Sequence, residues 1–210
     1  MKTLNFKKNI PNIATIFRII IIIPIVILMN LAPLYKENII YYFQAFDSQL
    51  ININTFNFIA FILFVIASIT DWFDGWYARK NNLVSDFGKF WDPIADKILI
   101  NSVLILLLYN NLIEVWIVIL IIMRDVLVDG LKMSSAKSGI VVPASILGKI
   151  KTVLLMLSII VIFILGGSTD KQSLYYWLIQ NMFLIISLFF VLASGLNYFL
   201  NIRKEKKVML

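Results

Sequence analysis

Six apolar stretches, at about residues 13–34, 54–78, 94–110, 112–134, 144–166 and 174–200, divide this chain almost from end to end. A helix needs roughly 20 apolar residues to cross the hydrocarbon core of a bilayer. Backbone polar groups at that depth must be satisfied internally, which a helix does on its own. The expected fold is therefore an all-α integral membrane protein with six transmembrane helices, read as a single domain over residues 1–210. The third stretch is the shortest, and its start carries charge. Pro24 falls inside the first, where a bilayer helix tolerates a kink. The chain is 60% hydrophobic and 15% charged, against about 25% charged in a soluble domain.

Basic residues set the orientation. With six spans, both termini and the 2–3 and 4–5 loops share one side. That side collects Lys2, Lys7, Lys8, Arg79, Lys80, Lys89, Lys132, Lys137, Arg203, Lys204, Lys206 and Lys207, whereas the other has Lys36 and Lys171. The positive-inside rule places both termini in the cytoplasm, and the expected location is the plasma membrane. The basic leader, Lys2 to Arg18, also carries Leu4, Phe6, Ile10, Ile13 and Phe17. It reads either as an interfacial helix lying on the membrane surface or as a frayed leader. No small-x-small cleavage site follows the first span, so retention is expected over removal as a signal peptide. The net charge is +7, but the basic residues flank apolar segments and form no continuous stripe. Anionic head groups and phosphorylated substrates fit this pattern, and nucleic acid does not.

Cysteine and histidine are absent, which excludes thiol and imidazole catalysis, disulfides and soft metal sites. Hard cations with oxygen ligands remain. Four aspartates, Asp71, Asp74, Asp92 and Asp96, lie around the end of the second stretch and the start of the third. One Asp at the centre of a membrane helix costs roughly 2.5–3.5 kcal/mol, so four at depth approach roughly 10 kcal/mol. Such residues are functional candidates by default. The pairs are spaced i, i+3 and i, i+4, which puts each pair on one helix face. The short intervening loop lets the two faces converge near the cytoplasmic interface. Four close carboxylates repel one another unless a cation sits among them. One or two divalent ions, Mg²⁺ or else Mn²⁺, fit this set, since such ions bind through carboxylates and substrate phosphates. Gly75 and Ala78 are small enough for a substrate to approach closely. Arg79 suits a phosphate, Gly88 opens the start of the next helix or its loop, and Pro93 is expected in that helix's first turn, where proline is tolerated.

The stretch Asp71 to Asp96 resembles the signature of the CDP-alcohol phosphatidyltransferase family, D-x2-D-G-x2-A-R-x8-G-x3-D-x3-D, at every position. The resemblance implies six transmembrane helices, usually in a homodimer, and a divalent-metal site at Asp71, Asp74, Asp92 and Asp96. It also implies transfer of a phosphatidyl group from CDP-diacylglycerol to an alcohol, with release of CMP. Asp71, Gly75, Ala78, Arg79 and Gly88 are then expected to bind the CDP moiety. Metal held by Asp71, Asp74 and Asp92 would engage the pyrophosphate and stabilise the CMP leaving group. Asp96 is expected to act as general base on the acceptor hydroxyl, with metal contact as well.

Three further blocks are similar to the glycerol-3-phosphate branch of that family: Asn9 to Arg18, Arg124 to Lys132, and Ala144 to Thr152. Arg124, embedded in the run Ile119 to Val128, and Lys149 and Lys151, at the start of the fifth span, are expected to hold the acceptor phosphate. Lys149 and Lys151 also read as anchors that snorkel to head groups, and Arg124 as a partner of Asp125 or Asp129. Two positions depart from the expected pattern. Lys132 stands in place of Arg, which is not equivalent for bidentate contacts, and Asp129 in place of a small polar residue. The rival readings are the same reaction with serine, inositol phosphate or phosphatidylglycerol as acceptor, and a divalent-metal transporter. A transporter would favour carboxylates at the membrane midplane, often in repeated halves, and the chain has no visible repeat.

Overall fold

The computed structural model describes residues 2–35, 37, 39–45, 49–81, 86–137, 146–165 and 174–208. Six helices form the body: α1 (Lys2–Leu31), α2 (Thr55–Lys80), α3 (Asp86–Tyr109), α4 (Val115–Lys137), α5 (Ile146–Leu165) and α6 (Leu174–Val208). Four contain segments long and apolar enough to cross a bilayer: Ile13–Leu31, Thr55–Ala78, Ile146–Leu165 and Asn181–Arg203. The other two, α3 and α4, carry Asp92 and Asp96, and Arg124 and Asp125, respectively. The architecture is the all-helical membrane protein that the apolar stretches predict, with one addition.

The addition is an antiparallel hairpin between α1 and α2. Strand β1 (Ile39–Ala45) pairs with β2 (Gln49–Asn54), with a bulge between Ile39 and Tyr41. Its sequence, Ile-Ile-Tyr-Tyr-Phe against Leu-Ile-Asn-Ile-Asn, is rich in the β-branched and aromatic residues that suit strands.

Helix boundaries also refine the expected spans. The leader is helical from Lys2 and joins the first span in one element, so Lys2 to Arg18 is not frayed. Helix α3 begins at Asp86, eight residues before the apolar run, so Pro93 lies inside the helix and not in its first turn. The reason is local: the polar residues ahead of the apolar run continue the same helix, and Pro93 faces outward.

The chain separates into two compact units. The first comprises Met1–Asn110 and Phe163–Thr169. In it α1 packs against both α2 and α3. Each helix contributes one buried stripe at helical spacing: Ala14, Thr15, Arg18, Ile22, Ile25 and Met29 on α1; Ala60, Phe64, Ala67, Asp74 and Ala78 on α2; Ala95, Leu99, Val103 and Leu107 on α3. The alanines let the helix backbones approach closely, as small residues do in membrane proteins. Phe163 adds its ring against Phe61 at 5.7 Å.

Asparagines tie down one end of this unit. The Asn54 side-chain oxygen accepts from the Phe56 amide at 2.9 Å, capping α2. Its amide donates to the Tyr35 carbonyl at 2.8 Å. The Asn110 amide donates to the Met29 carbonyl at 3.1 Å, linking the ends of α1 and α3. Asn111 then turns the chain with a φ of 55°, a conformation that Asn tolerates better than most residues.

The second unit comprises Asn111–Ile162 and Asp170–Leu210. Its helices α4 and α6 pack together around Val128, Tyr198 and Ile202.

Candidate active site

All three stripes of the first unit turn polar at one end. On α1 the change comes at Thr15 and Arg18, on α2 at Asp71 and Asp74, and on α3 at Asp92 and Asp96. The i, i+3 and i, i+4 spacings keep each aspartate pair on the face turned to α1. The four predicted carboxylates therefore meet, around a partner the sequence reasoning missed.

That partner is Arg18. Its guanidinium Nη1 lies 2.6 Å from Asp71 Oδ1 and 2.5 Å from Asp96 Oδ1. Its Nη2 lies 3.1 Å from Asp74 Oδ2 and 3.6 Å from Asp92 Oδ1. Thr15, one turn earlier on α1, donates its hydroxyl to Asp92. The Arg18 side chain is 1% exposed, whereas those of Asp74, Asp71, Asp96 and Asp92 are 6%, 25%, 27% and 39% exposed. The carboxylates thus grade from a deep pole at Asp74 to an open one at Asp92. Asp74 also accepts the Gly75 amide at 2.8 Å.

One guanidinium against four carboxylates leaves an acidic excess. Two like charges about 5 Å apart repel by about 3 kcal/mol at an effective dielectric of 20, so a further cation is favoured. The donor set fits a divalent ion, being four hard oxygen ligands on two helices. Among the described residues no three carboxylates already stand at ion-holding spacing, because each is turned to the guanidinium. The sequence signal for Arg18 was a lone charge within the apolar segment Ile13–Leu31, which by itself marks a functional candidate.

Of the residues expected around CDP, Ala78 and Gly88 are buried and Gly75 is half-buried. The side chain of Arg79 lies outside the described part of the structure, as do Ala144 and Ser145.

The second unit holds a separate ionic cluster. Arg124 on α4 donates from Nη1 to Asp125 Oδ1 at 2.8 Å and from Nη2 to Ser194 Oγ on α6 at 2.6 Å. Lys151 on α5 donates to the same Asp125 oxygen. Asp125, Lys151 and Ser194 are all buried. Two of the three cations expected to bind acceptor phosphate, Arg124 and Lys151, therefore share one carboxylate. Lys149 does not join them and is exposed. Residues i and i+2 on a helix point to different faces, so Lys149 and Lys151 do not serve one site side by side. Gly195 borders the cluster: a Cβ there would stand 3.2 Å from Arg124 Nε, a contact tighter than ordinary packing. Lys132, the departure from the expected arginine, places its ammonium 5.8 Å from the centre of the Tyr198 ring, within cation–π range.

Similarity to known proteins covers nearly all of the chain. It is 39% identical over 191 residues to the CDP-diacylglycerol–glycerol-3-phosphate 3-phosphatidyltransferase of Bacillus subtilis, covering 91% of this chain and 93% of that one. The Mycoplasma pneumoniae protein of the same name is 34% identical over 209 residues, covering 97% and 91%. That of Rickettsia felis is 37% identical over 196 residues, covering 93% and 96%. The sequence profile of the CDP-alcohol phosphatidyltransferase family matches residues 8–193, a span that includes Arg18, all four aspartates, Arg124 and Lys151. The chain belongs to the CDP-alcohol phosphatidyltransferase family.

Proposed function

We propose that this protein transfers the phosphatidyl group of CDP-diacylglycerol to sn-glycerol 3-phosphate, giving phosphatidylglycerophosphate and CMP. The observation that carries the reading is the convergence of Asp71, Asp74, Asp92 and Asp96 at one end of the first unit. The activity named for the Bacillus, Mycoplasma and Rickettsia relatives supports the choice of acceptor.

Asp71, Asp74, Asp92 and Asp96 would hold Mg²⁺ or Mn²⁺, in keeping with a family that is generally dependent on divalent metals. When bound, the metal supplies charge stabilisation for the pyrophosphate and the departing CMP. Gly75, Ala78 and Gly88 add no bulk where the nucleotide approaches, and Arg79 supplies a cation for its phosphate. Asp96, partly open on α3, takes the proton of the acceptor hydroxyl. That oxygen attacks the phosphorus bearing diacylglycerol, and the bond to CMP breaks with the electron pair leaving on CMP. Positioning and electrostatics provide most of the rate. Arg124 and Lys151 hold the acceptor phosphate.

The site faces the cytoplasm of a plasma-membrane protein with both termini inside, as the distribution of Lys and Arg directs. The whole chain acts as one catalytic domain, and the enzyme works as a homodimer.

The test offers purified protein CDP-diacylglycerol, Mg²⁺ or Mn²⁺, and glycerol 3-phosphate, serine, inositol phosphate or phosphatidylglycerol. CMP release with phosphatidylglycerophosphate as product is expected. Product with another alcohol and none with glycerol 3-phosphate overturns the acceptor. Asp96→Asn is expected to lose transfer and keep CDP-diacylglycerol binding, and near-normal turnover would refute its role as base.

A further inference from the structure

We propose that Arg18 is the resident counter-cation of the aspartate site. It holds the four carboxylates in place before metal arrives, and it competes with the metal for them. The inference rests on the reading of these aspartates as a metal site.

The geometry carries it. Arg18 is the shared partner of all four aspartates, through two nitrogens of one planar group. A guanidinium is suited to this because its donors are fixed in a rigid fork. Its side chain is 1% exposed, so it is not a surface charge that fell near an acidic patch. It stands on the buried stripe of α1, and Thr15, one turn away, fixes Asp92 from the same helix. The guanidinium is not fully used: among the described residues Arg18 Nε is buried without a hydrogen-bond partner. A buried donor left unsatisfied is costly, and here the ion pairs to the carboxylates hold the group in that place.

Two consequences follow. Without metal, Arg18 offsets the repulsion among carboxylates from two helices, so the site is assembled before it is loaded. With metal, the carboxylate oxygens that face Nη1 and Nη2 are wanted by two cations at once. Arg18 therefore holds the metal affinity down: it keeps the donors gathered, but its charge opposes that of the metal and outweighs the gain. It is a positioning residue, acting on the metal through the aspartates.

The test measures metal binding directly, on purified full-length protein in detergent. Mn²⁺ binding is followed by electron paramagnetic resonance, and melting is recorded with and without Mn²⁺ for wild type, Arg18→Gln and Arg18→Lys. Arg18→Gln removes one positive charge beside a divalent ion, so its Mn²⁺ affinity is expected to rise at least ~10-fold. Its metal-free melting temperature is expected to fall by about 5–10 °C, and saturating Mn²⁺ should close that gap. Arg18→Lys keeps the charge but loses the fork and should fall between the two. If Arg18→Gln is unfolded without metal, recovery of a cooperative transition with Mn²⁺ is the expected result. A residue with a merely structural role would leave the gap unchanged by metal, and that outcome overturns the proposal. So does unchanged or weaker Mn²⁺ binding in Arg18→Gln, which leaves the metal site itself standing. Binding by neither protein overturns both.

Discussion

Replacing Gly195 with alanine tests how closely α6 must approach Arg124. Gly130 on α4 and Gly195 on α6 both sit in helices of the second unit. Glycine to alanine in a helix interior is worth about 0.8–1 kcal/mol in favour of the helix, so this gain is common to both positions. What differs is the space. A Cβ at Gly130 meets nothing within 4 Å, whereas one at Gly195 meets Arg124 Nε at 3.2 Å, Arg124 Cγ at 3.4 Å and Val128 Cγ2 at 3.7 Å. The 3.2 Å contact is tighter than ordinary packing, and the atom it presses belongs to a side chain already held at both ends. Nη1 is fixed by Asp125 at 2.8 Å and Nη2 by Ser194 at 2.6 Å. Arg124 cannot retreat by a few tenths of an ångström without lengthening one of these bonds. A hydrogen bond to a charged group contributes about 1.5–3 kcal/mol, and losing half or more of one cancels the helix gain. Gly130→Ala is therefore expected to be neutral or stabilising by up to about 1 kcal/mol. Gly195→Ala is expected to be less stable than Gly130→Ala by about 1–2 kcal/mol. Denaturant or thermal unfolding of the two variants in one detergent gives the difference. If Arg124 binds acceptor phosphate, Gly195→Ala should also raise the KM for glycerol 3-phosphate several-fold and leave that for CDP-diacylglycerol nearly unchanged. Equal stability of the two variants would refute the reasoning, since the shared propensity term leaves only the Cβ contact to separate them.

Two further outcomes follow from the same cluster. Asp125→Ala removes the carboxylate shared by the buried Lys151 and the half-buried Arg124 and should destabilise the protein by about 3–5 kcal/mol, read by unfolding. Lys151→Ala should be costly to both stability and turnover, whereas Lys149→Ala, at an exposed position, should change stability by less than about 0.5 kcal/mol and turnover little. Comparable kinetic losses in the two lysine variants would show that the side chains share a role their separate faces argue against.

The aspartate site was legible in the sequence because its logic is local. Each pair sits on one helix at one-turn spacing, and a short loop joins the two helices, so convergence needs no knowledge of the rest of the chain. Arg18 was legible only as an anomaly. It meets Asp74 and Asp96 across 56 and 78 residues of sequence, and no spacing rule reaches that far. Its block was noticed for resemblance, but its place among the carboxylates comes from the packing of α1 on α2 and α3. The hairpin had a signal in its β-branched and aromatic run, which the search for long apolar helices passed over. Pro93 was misplaced because the apolar run was taken as the helix, whereas α3 begins in the polar residues before it. Lys149 and Lys151 were grouped by closeness in sequence, and helix geometry separates them.

The position of Arg18 also bears on how the protein is made. The residue is synthesised before any of its four partners, and Asp96 follows it by 78 residues. While the first span stands alone, its arginine has no carboxylate to meet. Arginine at the centre of a membrane helix costs roughly 2.5–3.5 kcal/mol on the insertion scale. Arg18 avoids that full cost because it lies near the start of the apolar segment Ile13–Leu31, where a long side chain reaches the head groups. The first helix therefore enters the bilayer with its cation at the interface. Its partners Asp71 and Asp74 arrive with α2, and the set of four is complete once α3 has emerged. In chain order, the ionic set of this site is therefore completed last by α3.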